Sequence, residues 1–217
     1  MSRNSRGYHS NDDPLQRLSK TLSYLLRHGA VDAELPLTPD GYANVGHLLQ
    51  LPQFKGCTEQ MIRDVVAADA KTRYSLRETD RILEVCANQG HSLAVEVALT
   101  AITSAADCPQ ALHGTYARFM ESILREGLKP MTRQHIHFSK REPTEKNDVS
   151  GIRKNCNVLI YLDVEKVLRD GIPLFESANG VILSPGNAAG CIPAEYFLKV
   201  LDRNSRTNFV LDKNKKY

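Results

Sequence analysis

Four cationic residues have side chains suited to holding a phosphate group. Arg27 and His28 are adjacent in the stretch LSYLLRHGA. Arg73 lies in KTRYSL, and Arg133 directly precedes QHIHFS. Arginine donates paired hydrogen bonds to a phosphate, and histidine exchanges a proton near neutral pH. If the fold brings these side chains together, they form a phosphate-binding pocket that also contains a group able to move a proton.

Arg27 and His28 also have a purely structural interpretation. Leucines recur at helical spacing at Leu15, Leu18, Leu22, Leu25 and Leu26. They predict a helix with one buried face, and Arg27 and His28 fall away from that face. Cations favour helix C-termini, and Gly29 can adopt the left-handed conformation that ends a helix. From these residues alone, a helix ending and an anion site both remain open.

Glycine and histidine occur together in two short segments, ANQGHS at Ala87–Ser92 and HGT at His113–Thr115. Glycine suits a backbone that approaches a ligand closely, although both glycines are equally compatible with ordinary turns. His135 and His137 would point to the same face of a strand and could together ligate a metal. No third ligand of suitable spacing is evident, so the sequence predicts no metal site.

The composition is typical of a soluble globular protein. The 217 residues, 41% hydrophobic and 24% charged, suit one large domain or two small lobes, and the net charge of +3 permits a polyanionic partner. Five cysteines without a CxxC pair oppose a disulfide framework or structural zinc. A polar N-terminus and the lack of a long apolar run predict an intracellular protein, cytoplasmic or nuclear or both, without membrane association. Rossmann GxGxxG, P-loop, HExxH and GxSxG motifs are absent.

The N-terminal half contains the pattern of three short helices followed by a hairpin. Residues 1–13 are polar and predicted to be disordered. Three helices and a hairpin match a winged-helix lobe, which we place over residues 14–103. The expected elements are a helix over Leu15–His28, a turn at Thr38–Gly41, a short helix through Val45, Leu48 and Leu49, a helix capped by Thr58, and a hairpin of RYSL and ILEVCA.

The C-terminal half alternates strands and helices. The small polar stretch Thr103–Gln110 contains a proline and is interpreted as the boundary between lobes. We expect an α+β lobe over residues 104–202 with a small mixed or antiparallel sheet, followed by a flexible basic tail over residues 203–217. The expected elements are a strand entering ALHGT, a helix in ARFMESILREG that ends at Gly127, and strands in HIHF, NVLIYLDV, NGVILS and YFLKVL.

Six motifs in this order closely resemble the RNA 2′-phosphotransferase family: LSYLLRHGA, KTRYSL, ANQGHS, LHGT, RQHIHFS and SANGVILSPGN. The resemblance covers the chain from about Leu18 to Leu201. Members of this family use NAD to remove the splice-junction 2′-phosphate that tRNA ligation leaves behind. The resemblance implies an N-terminal winged-helix-like RNA lobe and a C-terminal NAD lobe related to ADP-ribosyltransferases. Such an NAD site is not a Rossmann fold, which accounts for the missing GxGxxG.

The resemblance also implies roles for individual residues. The catalytic set of the family corresponds to Arg27, His28, Arg73 and Arg133. Residues expected to bind NAD are His113, Gly114, Thr115, His137, Ser139, Arg153, Asn179 and Gly180, and those expected to bind the RNA substrate are Gln89, His91 and Ser92. One position departs from the family pattern, because Cys86 stands where an arginine usually precedes A-x-Q-G-H-S. A thiol has no guanidinium fork, so phosphate anchoring beside the hairpin is expected to differ here.

The reaction implied by the resemblance has two steps and needs no metal. The RNA 2′-phosphate attacks the ribose carbon of NAD that bears nicotinamide, which gives an ADP-ribosylated phosphate. The neighbouring ribose hydroxyl then attacks phosphorus, releasing RNA with a 2′-hydroxyl and ADP-ribose 1″,2″-cyclic phosphate. Two other functions stay open: an ADP-ribosyltransferase that acts on another acceptor, and a non-catalytic winged-helix RNA-binding protein. A monomer is expected in each case.

Overall fold

The computed structural model describes residues 13–144 and 149–209, which form an α+β fold. The predicted disorder of residues 1–13 falls on residues outside this range, except for Asp13, which caps the first helix. Every pair of strands in the described chain is antiparallel, and the strands form three small sheets. No helix in these two ranges is long and apolar enough to cross a membrane.

The first part of the chain contains the predicted helices and hairpin. Local signals explain them: the side chain of Thr58 accepts a hydrogen bond from Met61 N at 3.3 Å and caps the third helix. Leu18, Leu22, Leu25 and Leu26 pack into a core with the hairpin, whereas Leu15, in the first turn of α1, is exposed and does not join the predicted buried face. The elements are α1 (Pro14–Tyr24), β1 (Tyr42–Asn44), α2 (Val45–Leu48), α3 (Glu59–Ala67), β2 (Tyr74–Thr79) and β3 (Ile82–Ala87), with sheet order β1-β3-β2.

The end of the first helix differs from the prediction. Leu25–Gly29 forms a π-helical turn that continues α1, and Ala30 follows with right-handed angles (φ −62°, ψ −39°). Gly29 therefore does not end the helix in the left-handed conformation. Its lack of a side chain has another cause, since a Cβ at this position would lie 2.7 Å from Tyr24 Cε1. Glycine at position 29 makes room for the tyrosine ring.

The second part of the chain forms two four-stranded sheets instead of the single small sheet that was predicted. The strand orders are β11-β10-β7-β5 and β4-β8-β9-β6. Most inward side chains of the two sheets join one large core. The elements are β4 (Leu99–Ile102), β5 (Leu112–Thr115), α4 (Met120–Glu126), β6 (Ile136–Phe138), β7 (Val158–Leu162), α5 (Val164–Arg169), β8 (Leu174–Ser177), β9 (Ile182–Ser184), β10 (Phe197–Asp202) and β11 (Asn208–Phe209).

The two sheets meet beside their edge strands, β5 in one sheet and β6 in the other. Leu112 N donates to Ser139 O at 2.9 Å, and Ser139 N donates to Leu112 O at 2.8 Å. This isolated bridge brings His113, on β5, beside His137, on β6: His113 Nδ1 lies 2.9 Å from the carbonyl oxygen of His137. The junction therefore places two of the predicted site residues together.

Strand β4 lies ahead of the predicted lobe boundary at residue 104. It pairs along its length with β8, so Leu99 faces Ser177 and Ile102 faces Leu174. The strand is too short and too mixed in polarity for its sequence to predict it. We propose that the boundary precedes Leu99, because β4 belongs to a sheet of the C-terminal half.

The described part of the predicted tail, residues 203–209, forms hydrogen bonds with the rest of the protein. Asn208 pairs with Leu201 in the contact between β11 and β10. Arg203 Nη1 donates to the carbonyl oxygens of Cys156 at 2.6 Å and of Lys154 at 3.0 Å. Residues 203–209 therefore make specific contacts, while the flexible basic tail stays a prediction and residues 210–217 lie outside the described chain.

Candidate active site

A cavity of about 550 Å³ opens where the hairpin and the end of α1 face the β5–β6 junction. Four histidines line it, and none of the described residues on its wall is an aspartate or glutamate. Several cations on a wall without carboxylates create a positive potential that favours an anionic ligand, although Arg73 and Lys129 also pair with Asp69 and Glu126, which are not among the lining residues. The cationic lining residues are Arg27, Lys71, Arg73, Lys129, Arg133 and Arg153.

The guanidinium of Arg27 is the most informative group in the cavity. Its Nε and Nη2 are buried and have no hydrogen-bond partner in the described chain. Burial lowers the pKa of Arg27, and the charges of Arg133 and Arg73 add to this effect. A buried donor without an acceptor costs about 1–3 kcal/mol. The fold therefore holds at this point a charged donor that lacks acceptors, which an anionic ligand would supply.

His28 lies beside Arg27 on the π-helical turn and also lines the cavity. Its Nδ1 is 2.9 Å from the hydroxyl oxygen of Ser92, which fixes the orientation of the ring. Partial burial lowers the pKa of His28, and the charges of Arg133 and Arg27 lower it further. A neutral, oriented imidazole beside an anion site can accept a proton when the bound anion adds negative charge.

Arg73 is held at the cavity wall by an acidic residue that the sequence analysis did not select. Asp69, whose side chain is 4% exposed, accepts hydrogen bonds from Arg73 Nη1 and from Arg73 N, both at 2.5 Å. The carbonyl oxygen of Arg73 accepts a bond from Asn88 N at 2.8 Å. The sequence feature that could have identified Asp69 is its position, four residues before the selected Arg73.

The segment Asn88–Ser92, here called the bridge segment, connects the two parts of the chain at the cavity. Ser92 N donates to Arg27 O at 3.0 Å, and the carbonyl oxygen of His91 accepts from Gln134 N at 3.0 Å. A Cβ at Gly90, whose φ is +92°, would lie 3.4 Å from Arg27 Nε. Glycine therefore suits position 90 for two reasons: the backbone there is left-handed, and a side chain would crowd the nearby arginine.

The predicted substrate-binding residues of the bridge segment differ in their positions. Gln89 lines the cavity, and its Oε1 lies 2.8 Å from His137 Nε2. His91 is buried, with its Nε2 unpartnered among the described residues, and neither it nor Ser92 is among the residues that line the cavity. We propose that His91 and Ser92 position Arg27 and His28 and do not themselves touch the substrate.

The strand residues predicted to bind NAD lie mostly on the cavity wall. His113, Gly114, Thr115 and His137 line it. Arg153 also lines it, from the loop behind β5. Gly114 is neither in a turn nor left-handed: a Cβ there would lie 2.6 Å from Ile152 Cγ2 and 2.8 Å from Cys156 Sγ. Close packing behind the strand therefore requires glycine at this position.

The other three residues predicted to bind NAD do not line the cavity. The hydroxyl of Ser139 donates to Arg141 O at 2.9 Å, and Gly180 occupies a turn with φ +73°. Asn179 Nδ2 donates to Lys71 O at 3.0 Å, 108 residues earlier in the chain, and Ser150 Oγ donates to the same oxygen at 3.1 Å. Asn179 thus ties the second half of the chain to the loop that carries Arg73.

Cys86, the position that departs from the family pattern, is buried in the hairpin sheet and is not among the lining residues. Its neighbours in the sheet are Tyr42 and Ser75, on the two flanking strands. Burial raises the pKa of its thiol. All five cysteines are free thiols. Within the described ranges no group of three potential metal-ligating side chains is present.

Two buried histidines make stability depend on pH. Burial is the main factor that lowers the pKa of His91 to about 4 and of His137 to about 3, from a usual 6.5. The unfolded chain therefore binds more protons once the pH falls below about 6.5, and stability is lost from there down to the folded pKa values. At pH 5 each histidine is expected to lower the free energy of unfolding by on the order of 2 kcal/mol relative to pH 8.

Urea unfolding at pH 8 and pH 5 measures this effect. In His137→Gln the difference between the two pH values should shrink by roughly one histidine's contribution, on the order of 2 kcal/mol. His47, an exposed histidine, provides the control His47→Gln. An unchanged pH difference in His137→Gln would show that His137 is not held neutral by the fold.

Comparisons with known proteins agree with each other. The sequence model of the "RNA 2'-phosphotransferase, Tpt1 / KptA family" matches residues 13–186. The chain is 44% identical over 189 residues to tRNA 2'-phosphotransferase 1 of Mus musculus, covering 85% of this chain and 76% of the relative. It is 35% identical over 195 residues to tRNA 2'-phosphotransferase of Saccharomyces cerevisiae (85% and 83% covered). It is 34% identical over 192 residues to a probable RNA 2'-phosphotransferase of Acaryochloris marina (87% and 99% covered).

Proposed function

The chain belongs to the RNA 2′-phosphotransferase family, Tpt1/KptA, and on this premise we propose that it transfers the internal 2′-phosphate of ligated tRNA to NAD. The observation that carries the proposal is that Arg27 Nε and Nη2 are buried without a partner among the described residues, in a cavity whose described wall contains cations and no carboxylate. A phosphate dianion supplies the acceptors that this guanidinium lacks. The product is tRNA with an ordinary 2′-hydroxyl.

The residues of the cavity suit NAD as the second substrate. A dinucleotide carries two phosphates, and the cavity contains six cations and about 550 Å³ of space. We propose that His113, Gly114, Thr115 and Arg153 hold it from the β5 side. When bound, NAD supplies an electrophilic ribose carbon with nicotinamide as its leaving group. Asn179, Gly180 and Ser139, which lie off the cavity wall, support this side indirectly.

The chain's own groups hold the 2′-phosphate and move protons. Arg27 and Arg73 would bind the phosphate oxygens from the N-terminal side, with Arg73 kept in place by Asp69. Arg133, an exposed residue that also lines the cavity, would neutralise charge that builds on those oxygens. Burial and the charges of Arg133 and Arg27 lower the pKa of His28, and the ring lies beside Arg27, so it would take up and return a proton at the phosphate.

We further propose that the cavity separates two lobes, a winged-helix-like RNA lobe and an ADP-ribosyltransferase-like NAD lobe, in a monomeric enzyme. Two separate hydrophobic cores support this division: one contains α1, α3 and the hairpin, and the other lies between the two C-terminal sheets. Asn179 and Ser150, which both donate to Lys71 O, would hold the lobes in register.

An RNA with one internal 2′-phosphate tests the proposal. We expect phosphate loss only when NAD is present, without inhibition by EDTA, and with ADP-ribose cyclic phosphate as a product. Arg73→Ala should reduce the rate by on the order of 10²-fold or more. Arg63, an arginine on α3 that pairs with Glu59 and Glu78 outside the cavity, provides the control Arg63→Ala.

Two outcomes would overturn the proposal. Stable attachment of ADP-ribose to the RNA, with no cyclic phosphate released, would indicate an ADP-ribosyltransferase with another natural acceptor. RNA binding without any release of nicotinamide would indicate a non-catalytic RNA-binding protein.

A further inference from the structure

A second cavity, of about 580 Å³, lies on the outer face of α1 and its π-helical turn. It is here called the α1 groove. Arg17, Lys20, Thr21 and Tyr24 follow one another at helical spacing along it, and Asp32 and Gln53 are among the residues on its other side. None of these residues was selected from the sequence as a site residue.

Tyr24 is a large aromatic residue that stays 61% exposed. Its ring packs over Gly29, which has no side chain to displace it: a Cβ there would lie 2.7 Å from Tyr24 Cε1. A ring seated on a glycine backbone presents its other face to solvent at little cost in side-chain entropy. Such a ring can serve as a stacking platform for a planar ligand.

The α1 groove and the active-site cavity share no lining residue, but Tyr24 of the groove lies next to His28 of the cavity. The ring centroids of Tyr24 and His28 are 6.0 Å apart, with 48° between their planes. His28 lines the first cavity, whereas Tyr24 and Gly29 line the second. A chain molecule bound at Arg27 and His28 can therefore extend directly over Tyr24.

The charges of the α1 groove complement a nucleic-acid backbone. Arg17 and Lys20 lie one to two helical turns before Tyr24, with Asp32 as the acidic residue of the groove wall. Cations beside an exposed aromatic ring are the combination by which proteins bind single-stranded nucleic acid: the ring stacks on a base and the cations contact phosphates. A protein segment would have no comparable requirement for a flat exposed ring beside two cations.

We propose that the α1 groove binds the nucleotide next to the one that carries the 2′-phosphate, with its base stacked on Tyr24 and its backbone phosphate near Arg17 and Lys20. The inference rests on the proposed function, because it takes the phosphate bound by Arg27 to belong to an RNA. It assigns a second RNA contact outside the catalytic cavity. Because every base has a stacking face, this contact favours length over sequence.

Fluorescence of 2-aminopurine tests the stacking directly. RNAs with one internal 2′-phosphate would carry the probe on the 5′ neighbour, on the 3′ neighbour, or four nucleotides away, and NAD would be omitted so that the RNA stays intact. We expect binding to quench the probe at one neighbouring position and not at the distant one. Tyr24→Phe should keep the quenching, whereas Tyr24→Leu should remove it and weaken RNA binding by about 5- to 100-fold.

The charge contribution has its own test. Arg17→Ala should lower the dependence of RNA affinity on salt by about one counterion, with the quenching retained. Arg169, an exposed arginine on α5 that pairs with Asp170, provides the control Arg169→Ala. Loss of affinity in Arg17→Ala without any change in salt dependence would overturn the assignment of a phosphate to this residue.

Substrates of different length distinguish RNA binding by Tyr24 from a structural effect of Tyr24 on its neighbour His28. If Tyr24 binds a flanking nucleotide, Tyr24→Leu lowers kcat/KM for a long RNA relative to that for a minimal dinucleotide carrying the 2′-phosphate. An equal loss on both substrates would mean that Tyr24 only positions His28, and would overturn the proposal. So would an active wild-type enzyme that quenches the probe at neither neighbouring position. Failure of the proposed function itself looks different: the wild type would then release no phosphate and bind RNA equally with and without the 2′-phosphate.

Discussion

Arg27→Met is expected to reduce 2′-phosphate removal by about 10²–10³-fold while making the protein without ligands more stable. The loss follows from the removal of a charged, preorganised donor aimed at the phosphate. The gain in stability follows because Arg27 Nε and Nη2 are buried without a partner in the described chain. Methionine keeps the length of the apolar stem and removes the unsatisfied donors, which should raise the free energy of unfolding by about 1–3 kcal/mol.

Two measurements on purified protein check this prediction. Single-turnover rates with 2′-phosphorylated RNA give the loss of activity, and urea unfolding without ligands gives the change in stability. Inorganic phosphate should stabilise the wild type through binding to the folded state and should stabilise Arg27→Met less. Arg17→Met, on the exposed part of α1, is the matched control for stability. A variant that is both less stable and fully active would contradict the interpretation of Arg27 as a strained anion-binding group.

Asp69→Asn is expected to lower activity by about 10- to 100-fold, although Asp69 is not among the residues that line the cavity. Its carboxylate accepts hydrogen bonds from both Nη1 and the backbone nitrogen of Arg73. Asparagine has nearly the same shape but loses the negative charge and one acceptor, so the guanidinium of Arg73 is no longer fixed. A misplaced phosphate ligand mainly affects the transition state, so the fall should be in kcat more than in KM.

Steady-state kinetics for Asp69→Asn and for the control Asp64→Asn test this positioning role. Asp64 lies on α3, five residues before Asp69, is exposed and accepts a hydrogen bond from Gln60 Nε2 at 2.8 Å. The double variant Asp69→Asn with Arg73→Ala should be no worse than Arg73→Ala alone, because Asp69 acts through Arg73. Additive losses in the double variant would mean that Asp69 has a separate effect.

Much of the fold could be predicted because its signals are local. Leu18 and Leu22 set the buried face of α1 at helical spacing, and Thr58 caps α3 through a hydrogen bond three residues away. The hairpin β2–β3 follows from two β-prone runs separated by a polar turn. Each of these features depends on residues within one or two turns of chain, which is the range over which a sequence pattern is informative.

Two short strands were not predicted, because the interactions that form them are not local. Strands β4 and β8 contain four residues each and pair over a separation of about 75 residues along the chain. Neither has a full alternation of polar and apolar side chains that would indicate a buried face. Their pairing depends on the approach of distant segments, and with β9 and β6 they form the second of the two sheets.

The sequence by itself determined the candidate side chains: Arg27, His28, Arg73 and Arg133 were selected by type and motif, and all four line one cavity. The tertiary structure decided how they are held. Asp69 fixes Arg73, the bridge segment fixes His28, and Asn179 reaches Lys71 over 108 residues. Side-chain type and short-range spacing can be read directly from the sequence. A hydrogen bond between distant residues forms only when packing brings its donor and acceptor within about 3 Å of each other.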